Sequence, residues 1–255
     1  MPIHKAEAIV LNKRDFRETS LIVNFYTREF GKLSGILKGI RKEPNKFASS
    51  LELFSLNDIV FYKHSTTTLH LVSQCDLKNN FIPLRQNMFK VGMANIVLEL
   101  IDAVMQPDDR NEDIFNLGLD TLSGLVSSNN PDKITTIFKI KMLSLSGFKP
   151  NLDSCVICAN KILGESKFSL KLGGLLCLKC APKDLNSRAI FRGTIATILH
   201  IEKNDFKVNL NLGINPQIKR ELDLVLNSFL NYHLEKELKS QKVLNKIENF
   251  IPAIR

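Results

Sequence analysis

Four of the five cysteines fall in two pairs, Cys155-Val-Ile-Cys158 and Cys177-Leu-Lys-Cys180, with eighteen residues between the pairs. Two thiolates three residues apart on a tight turn can face one ion, and a second such pair completes a tetrahedron. This is the geometry of a structural Zn²⁺ site. Four protein sulfurs leave no coordination position for water, so the spacing predicts one structural zinc per chain and no metal-assisted hydrolysis. Gly164, Gly173 and Gly174 lie in the insert and suit the tight turns of a small ribbon. Two disulfides or four buried thiols would be the other uses of such a quartet.

Composition narrows the setting. The chain has 255 residues, 44% hydrophobic and 24% charged, enough for one large or two modest cores. No apolar run approaches the ~20 residues of a membrane span, and the N-terminus shows no secretory pattern. One odd thiol, Cys75, beside a metal quartet fits a reducing compartment, so a cytoplasmic protein is expected, with no membrane association. Cys75 itself reads as a small buried hydrophobe. The net charge of +9 is concentrated at the two ends: residues 1–80 carry twelve basic against eight acidic residues, and so do residues 181–255. A polyanionic partner is favoured.

The hydrophobic rhythm changes once. In residues 1–80, Leu21, Val23 and Phe25 alternate with Ile22, Asn24 and Tyr26, and Leu69 to Val72 alternate likewise. Further runs lie at Ile9–Leu11, Leu33–Ile40 and Leu51–Tyr62. Five short strands in this length predict an OB-type β-barrel, with the loop joining the first two strands at Asn12–Glu18. Beyond Pro83 the period is helical: Phe89 to Val104, Phe115 to Val126, and a third helix opened by Asn130-Pro131 and stopped at Gly147. After the cysteine module, Ser187 is placed to cap one helix, and Asn215-Pro216 to open the longest. The fold class expected is therefore α+β: an OB-type barrel domain at 1–80, then a helical-bundle domain at 81–255 carrying the four-cysteine zinc module at 150–185.

The candidate chemistry is binding. There is no phosphate-binding loop, no G-x-S-x-G elbow and no H-E-x-x-H pair, and the five histidines are scattered, so no enzyme is expected. Asp108, Asp109, Glu112 and Asp113 sit where acids favour a helix N-terminus. On the barrel, Lys13, Arg14 and Arg17 surround Phe16, and Arg28, Lys32, Lys38, Arg41, Lys42 and Lys46 follow. Cations meet phosphates, and an interleaved ring stacks on a base, so these ten residues are the candidate single-strand interface.

The order of these parts resembles the bacterial recombination mediator family RecO. The local strings are similar too: Glu18-Thr19-Ser20-Leu21-Ile22-Val23, Tyr26-Thr27-Arg28-Glu29-Phe30-Gly31-Lys32, Lys38-Gly39-Ile40-Arg41-Lys42, and Met142 to Cys158 with Gly147-Phe148 and Pro150. The resemblance covers residues 1 to about 235. It implies a protein that binds single- and double-stranded DNA and anneals complementary strands. It also implies contacts with RecR and with the acidic C-terminal tail of the single-strand-binding protein SSB, and help in loading RecA in the nucleoid, with no small-molecule substrate. Such a tail needs an apolar strip rimmed by cations, and Lys133, Ile137, Lys139 and Lys141 on the third helix supply the residue types. Two other classes fit the same parts: an RNA-processing enzyme with an OB domain and a zinc ribbon, and a zinc-stabilised scaffold without nucleic-acid contact.

Overall fold

The computed structural model describes residues 2–43, 47, 51–64, 67–235 and 237–250, the last three by backbone alone. The chain forms two compact units: one runs to Pro131 and regains the chain at Leu238, the other runs from Asp132 to Glu237. No helix among the described residues is long and apolar enough to cross a membrane.

The first unit is built on five strands, β1 (Ile3–Phe16), β2 (Ser20–Thr27), β3 (Gly31–Leu37), β4 (Leu56–Tyr62) and β5 (Leu69–Asn79). They close in the order β1-β2-β3-β5-β4, with β4 returning to β1. Only β3 and β5 run parallel, at Ser34↔Leu69 to Ile36↔Leu71. This is the OB arrangement expected. The barrel core gathers inward-facing residues such as Val10, Phe25, Phe61 and Cys75. Cys75 is 1% exposed, as a buried small hydrophobe should be.

One strand is longer than the apolar pattern implied. Residues 12–16, expected as a loop, continue β1 and pair with β2 from Asn12↔Asn24 to Phe16↔Ser20. A polar hairpin end needs only its ladder hydrogen bonds, so alternation does not reveal it.

Three helices complete this unit's N-terminal part: α1 (Ile82–Arg85), α2 (Met88–Val104) and α3 (Glu112–Ser127). Asn87 and Asn111 cap α2 and α3 through their side-chain oxygens. The loop between these helices docks on the barrel at Gly31, where φ is +66° and a Cβ would collide with the Asp109 carbonyl. Asp108 donates its backbone N–H to Lys32 O at 2.9 Å.

The second unit begins with α4 (Pro131–Leu145), which ends as expected at Gly147 with φ +79°. A three-stranded sheet follows, β6 (Ser166–Ser169), β7 (Gly174–Cys177) and β8 (Arg188–Ile190), in the order β7-β6-β8. Then come α5 (Arg192–Lys203), α6 (Phe206–Asn209) and α7 (Pro216–Leu234). Asn215 caps α7 by accepting from Gln217 N. Ser187 does not cap a helix: its hydroxyl donates to Asp184 O at 2.6 Å, and β8 intervenes before α5.

The C-terminal segment, for which the sequence offered no pattern, is the helix α8 (Lys239–Phe250), packed on α2 in the first unit. Its anchors are Leu238 and Leu244, 3% and 1% exposed. Leu244 lies over Gly92, where a Cβ would approach its Cδ1 to 2.6 Å. The Glu99 carboxylate accepts from the N–H groups of Lys239 and Ser240 at 2.9 and 2.8 Å, satisfying the first turn of α8.

Candidate metal centre and nucleic-acid interface

The cysteine pairs are carried by two turns that β7 ties together. Val156 N–H donates to Leu175 O, and Leu175 N–H donates to Asn151 O, so the first turn is stitched to the start of β7. Within that turn Ala159 N–H returns to Cys155 O at 2.8 Å, and Ala159 itself takes φ +58°. The second pair spans the end of β7: Cys180 N–H donates to Cys177 O at 3.0 Å, and a 3₁₀ turn over Ala181–Lys183 follows. Gly174 is needed here, because a Cβ would meet the Asn151 carbonyl.

All four sulfurs lie within 4.8 Å of one another, and among the described residues this is the one group placed to hold a metal ion. None of the cysteines is in a disulfide. Cys155 and Cys180 are buried on the Leu176 side, whereas Cys158 is exposed. Burial opposes ionisation of Cys155, yet the backbone N–H groups of Cys158, Cys177 and Ile157 bring its thiol down to about 6. Cys180 moves the other way, pushed up to about 12 by its contact with Cys177 and then by burial. Cys155 therefore ionises readily and Cys180 only with difficulty, unless a cation sits among the sulfurs.

The candidate strand-binding residues separate into two places. Lys13, Arg14 and Arg17 are exposed around the β1–β2 turn, with the Arg17 guanidinium 5.3 Å from the centre of the Phe16 ring. Arg17 adopts φ +53° at the turn itself. Arg41 joins them: its N–H donates to Thr19 O at 3.0 Å and its side chain reaches Asp15 at 3.4 Å. Because Leu21 pairs with Leu37, exposed Lys38 and Lys42 fall at this same end. Arg28 and Lys32 do not. They lie at the opposite end of the β2–β3 ladder, Lys32 paired with Tyr26 and Arg28 in the turn after the Thr27↔Gly31 pair. Arg28 is held by Glu7 at 2.8 Å and Glu112 at 3.1 Å, above the Phe115 ring at 4.6 Å. Lys32 Nζ donates to Asp102 O at 2.6 Å. Both tie the barrel to the helices of their own unit. Lys46 lies outside the described residues.

The strip sought on α4 is not a surface strip. Residues 134 to 140 are all buried, because this helix is covered all round. Ile137 is 0% exposed and Lys139 6%. Lys139 Nζ donates to Asn227 Oδ1 at 2.8 Å, Lys133 Nζ to Leu210 O, and Lys141 Nζ to Glu202 O at 2.8 Å. These three ammonium groups knit α4 to its neighbours in the second unit.

Sequence reading also passed over a contact among scattered histidines. His4, Phe30, Phe61 and His70 stack at one end of the barrel, and His64 N–H donates to His70 Nδ1 at 3.3 Å. The acidic run divides between partners, Asp108 to Lys63 and Glu112 to Arg28 and Arg110.

Comparison with known proteins covers nearly the whole chain. Residues 1–81 match the family described as Recombination protein O N terminal, and residues 85–242 match Recombination protein O C terminal. The chain is 32% identical over 252 residues to the DNA repair protein RecO of Syntrophus aciditrophicus, covering 96% of each. It is 30% identical over 250 residues to that of Moorella thermoacetica, covering 96% of this chain and 91% of the relative. With that of Halalkalibacterium halodurans the identity is 28% over 247 residues, 96% of each.

Proposed function

This chain belongs to the RecO family of recombination and DNA repair proteins, and from that premise we propose that it works by holding DNA strands rather than as an enzyme. The barrel over residues 1–80 binds single- and double-stranded DNA in the cytoplasm, at the nucleoid. It anneals complementary strands, and with RecR it helps place RecA on gaps coated by SSB. The observation that carries the reading is the convergence of Lys13, Arg14, Arg17, Lys38, Arg41 and Lys42 around Phe16 at one end of the barrel. Six cations beside an exposed turn offer phosphate contacts, and the ring offers a stacking surface. Arg28 and Lys32, engaged with carboxylates and a carbonyl, contribute by fixing the barrel on its helices.

The helical domain over residues 81–255 captures the acidic SSB tail. Its surface for that tail is to be sought away from Ile137 and Lys139, whose burial removes them from contact. The metal in the cysteine quartet is zinc, bound for structure. Zn–S bonds of about 2.3 Å in a tetrahedron set the sulfurs about 3.8 Å apart, and Cys158 and Cys177 stand at 3.9 Å.

The test is the salt dependence of single-strand binding. Each phosphate contact contributes a slope of about −0.7 in log affinity against log salt, so an Arg14→Ala, Arg17→Ala double variant should flatten the slope by about one or more. Annealing of complementary oligonucleotides without nucleotide or Mg²⁺ should weaken in parallel. An unchanged slope in the double variant would move the DNA off this end of the barrel.

A further inference from the structure

Between the metal-module sheet and α5 lies a cavity of about 230 Å³. That is below the ~300–1,000 Å³ of most drug-sized ligand sites, so it suits a small molecule. Its apolar wall is wholly aliphatic: Leu152, Ile162, Leu175, Ile195 and Leu199. Three polar side chains share the lining, Asp153, Ser166 and Arg192. Ser166 is 4% exposed, and its hydroxyl has no hydrogen-bond partner. The serine at the other end of β6 behaves ordinarily: Ser169 donates to the Asp184 carboxylate at 2.5 Å. A buried hydroxyl left unpaired beside a cavity is costly, and an occupant with an acceptor relieves that cost. Asp153 and Arg192 are both exposed, and neither forms an ion pair among the described residues.

One acid, one base, one buried hydroxyl and an aliphatic wall match a small zwitterion with an aliphatic side chain. We infer that this cavity binds a free aliphatic α-amino acid. Its carboxylate meets Arg192 and accepts from the Ser166 hydroxyl, its ammonium meets Asp153, and its side chain fills the space among Leu152, Ile162, Ile195 and Leu199. Ile162 also packs on the cluster formed by Cys155, Leu176 and Cys180. An occupant therefore braces the wall of the metal module.

The experiment titrates the full-length, metal-loaded chain with leucine, followed by methyl NMR and calorimetry. It repeats the titration with 4-methylpentanoate, which lacks the ammonium, and 3-methylbutylamine, which lacks the carboxylate. Saturable leucine binding is expected, with both analogues weaker by about tenfold or more, as are Arg192→Met and Asp153→Asn toward leucine. Gly164→Val supplies a fold-safe block, since Gly164 lines the cavity and a Cβ there meets no atom within 4 Å. Ser166→Ala should weaken leucine binding while raising the melting temperature of the ligand-free protein. Equal binding of leucine and both analogues overturns the inference, and so does unchanged leucine binding in the charge variants. Absence of saturation by ~10 mM leucine in folded protein would mean a water-filled cavity only.

Discussion

Replacing Lys139 with Met should make the second unit more stable, although it deletes a hydrogen bond. The ammonium is buried in the middle of α4, bonded to Asn227 and facing Asp223, Lys219 and Asp132. Burial dominates and pulls its pKa from 10.5 down to about 8, with Asp223 and Asp132 working against that pull and Lys219 adding to it. At about 1.4 kcal/mol per pH unit, holding the charge inside costs the folded state about 3 kcal/mol at neutral pH. Met has a similar length and no charge. The variant loses the hydrogen bond to Asn227, about 1 kcal/mol, and half-buried Asn227 can turn to water instead. The expected net gain is about 2 kcal/mol, within the range of about 1–4 kcal/mol seen when buried charges are replaced by apolar side chains.

The pH dependence makes the reasoning testable separately from packing. Between pH 8 and about 10.5 the folded chain sheds this proton while the unfolded chain keeps it. The unfolded state then binds more protons, so stability rises with pH across that window. Urea denaturation at pH 7, 8, 9 and 10 should show the Met variant more stable at pH 7 and losing its advantage by pH 10. Taking the difference between the two proteins cancels the titration of tyrosines and thiols. A variant destabilised at pH 7 by more than about 1 kcal/mol, or a difference independent of pH, would refute the claim that burial sets this ionisation.

The other expectations concern the metal and two packing points. Cys177→Ser should abolish stoichiometric metal and unfold the segment around β6 and β7, because structural zinc supplies on the order of 10 kcal/mol of apparent binding energy; elemental analysis and thermal melting read both. Gly31→Ala places a Cβ against the Asp109 carbonyl at positive φ and should cost about 3 kcal/mol or more by denaturant titration. Leu244→Ala should cost about 2–5 kcal/mol and speed amide exchange in α8, since Leu244 is its buried anchor on Gly92.

Much of the fold is legible where local pattern matches the element. Val23 and Phe25 look into the barrel from one face of β2, with Leu21 packed against them, although Ile22 and Tyr26 on the other face are buried as well, and Asn215-Pro216 marks a helix start by local chemistry alone. The cysteine quartet is legible because thiols at that spacing have few other uses. Reading fails where local pattern is not what holds the element. Lys13, Arg14 and Asp15 form strand because β2 offers a ladder, not because they bury anything. α8 has two apolar anchors and a carboxylate cap from Glu99, far away in sequence.

The same limit governs the sites. A stripe of Ile134, Phe138 and Met142 implies one buried face and predicts that Lys139 and Lys141 stand in water. In the folded unit Thr135, Thr136 and Lys139 are buried too, and their polar atoms are spent inward: Thr136 on Asp132 O, Lys139 on Asn227. A lysine's stem is apolar enough to be buried if its ammonium finds a partner, so basic residues read along a helix do not by themselves mark a surface. On the barrel the same sorting separates Arg28 and Lys32, engaged with Glu7, Glu112 and Asp102, from Lys38 and Lys42, which stay exposed beside the β1–β2 turn. Tertiary placement decides this: the carboxylates that the fold brings to a cation, Glu7 from β1 and Glu112 and Asp102 from the helices, determine whether it fixes the fold or stays exposed.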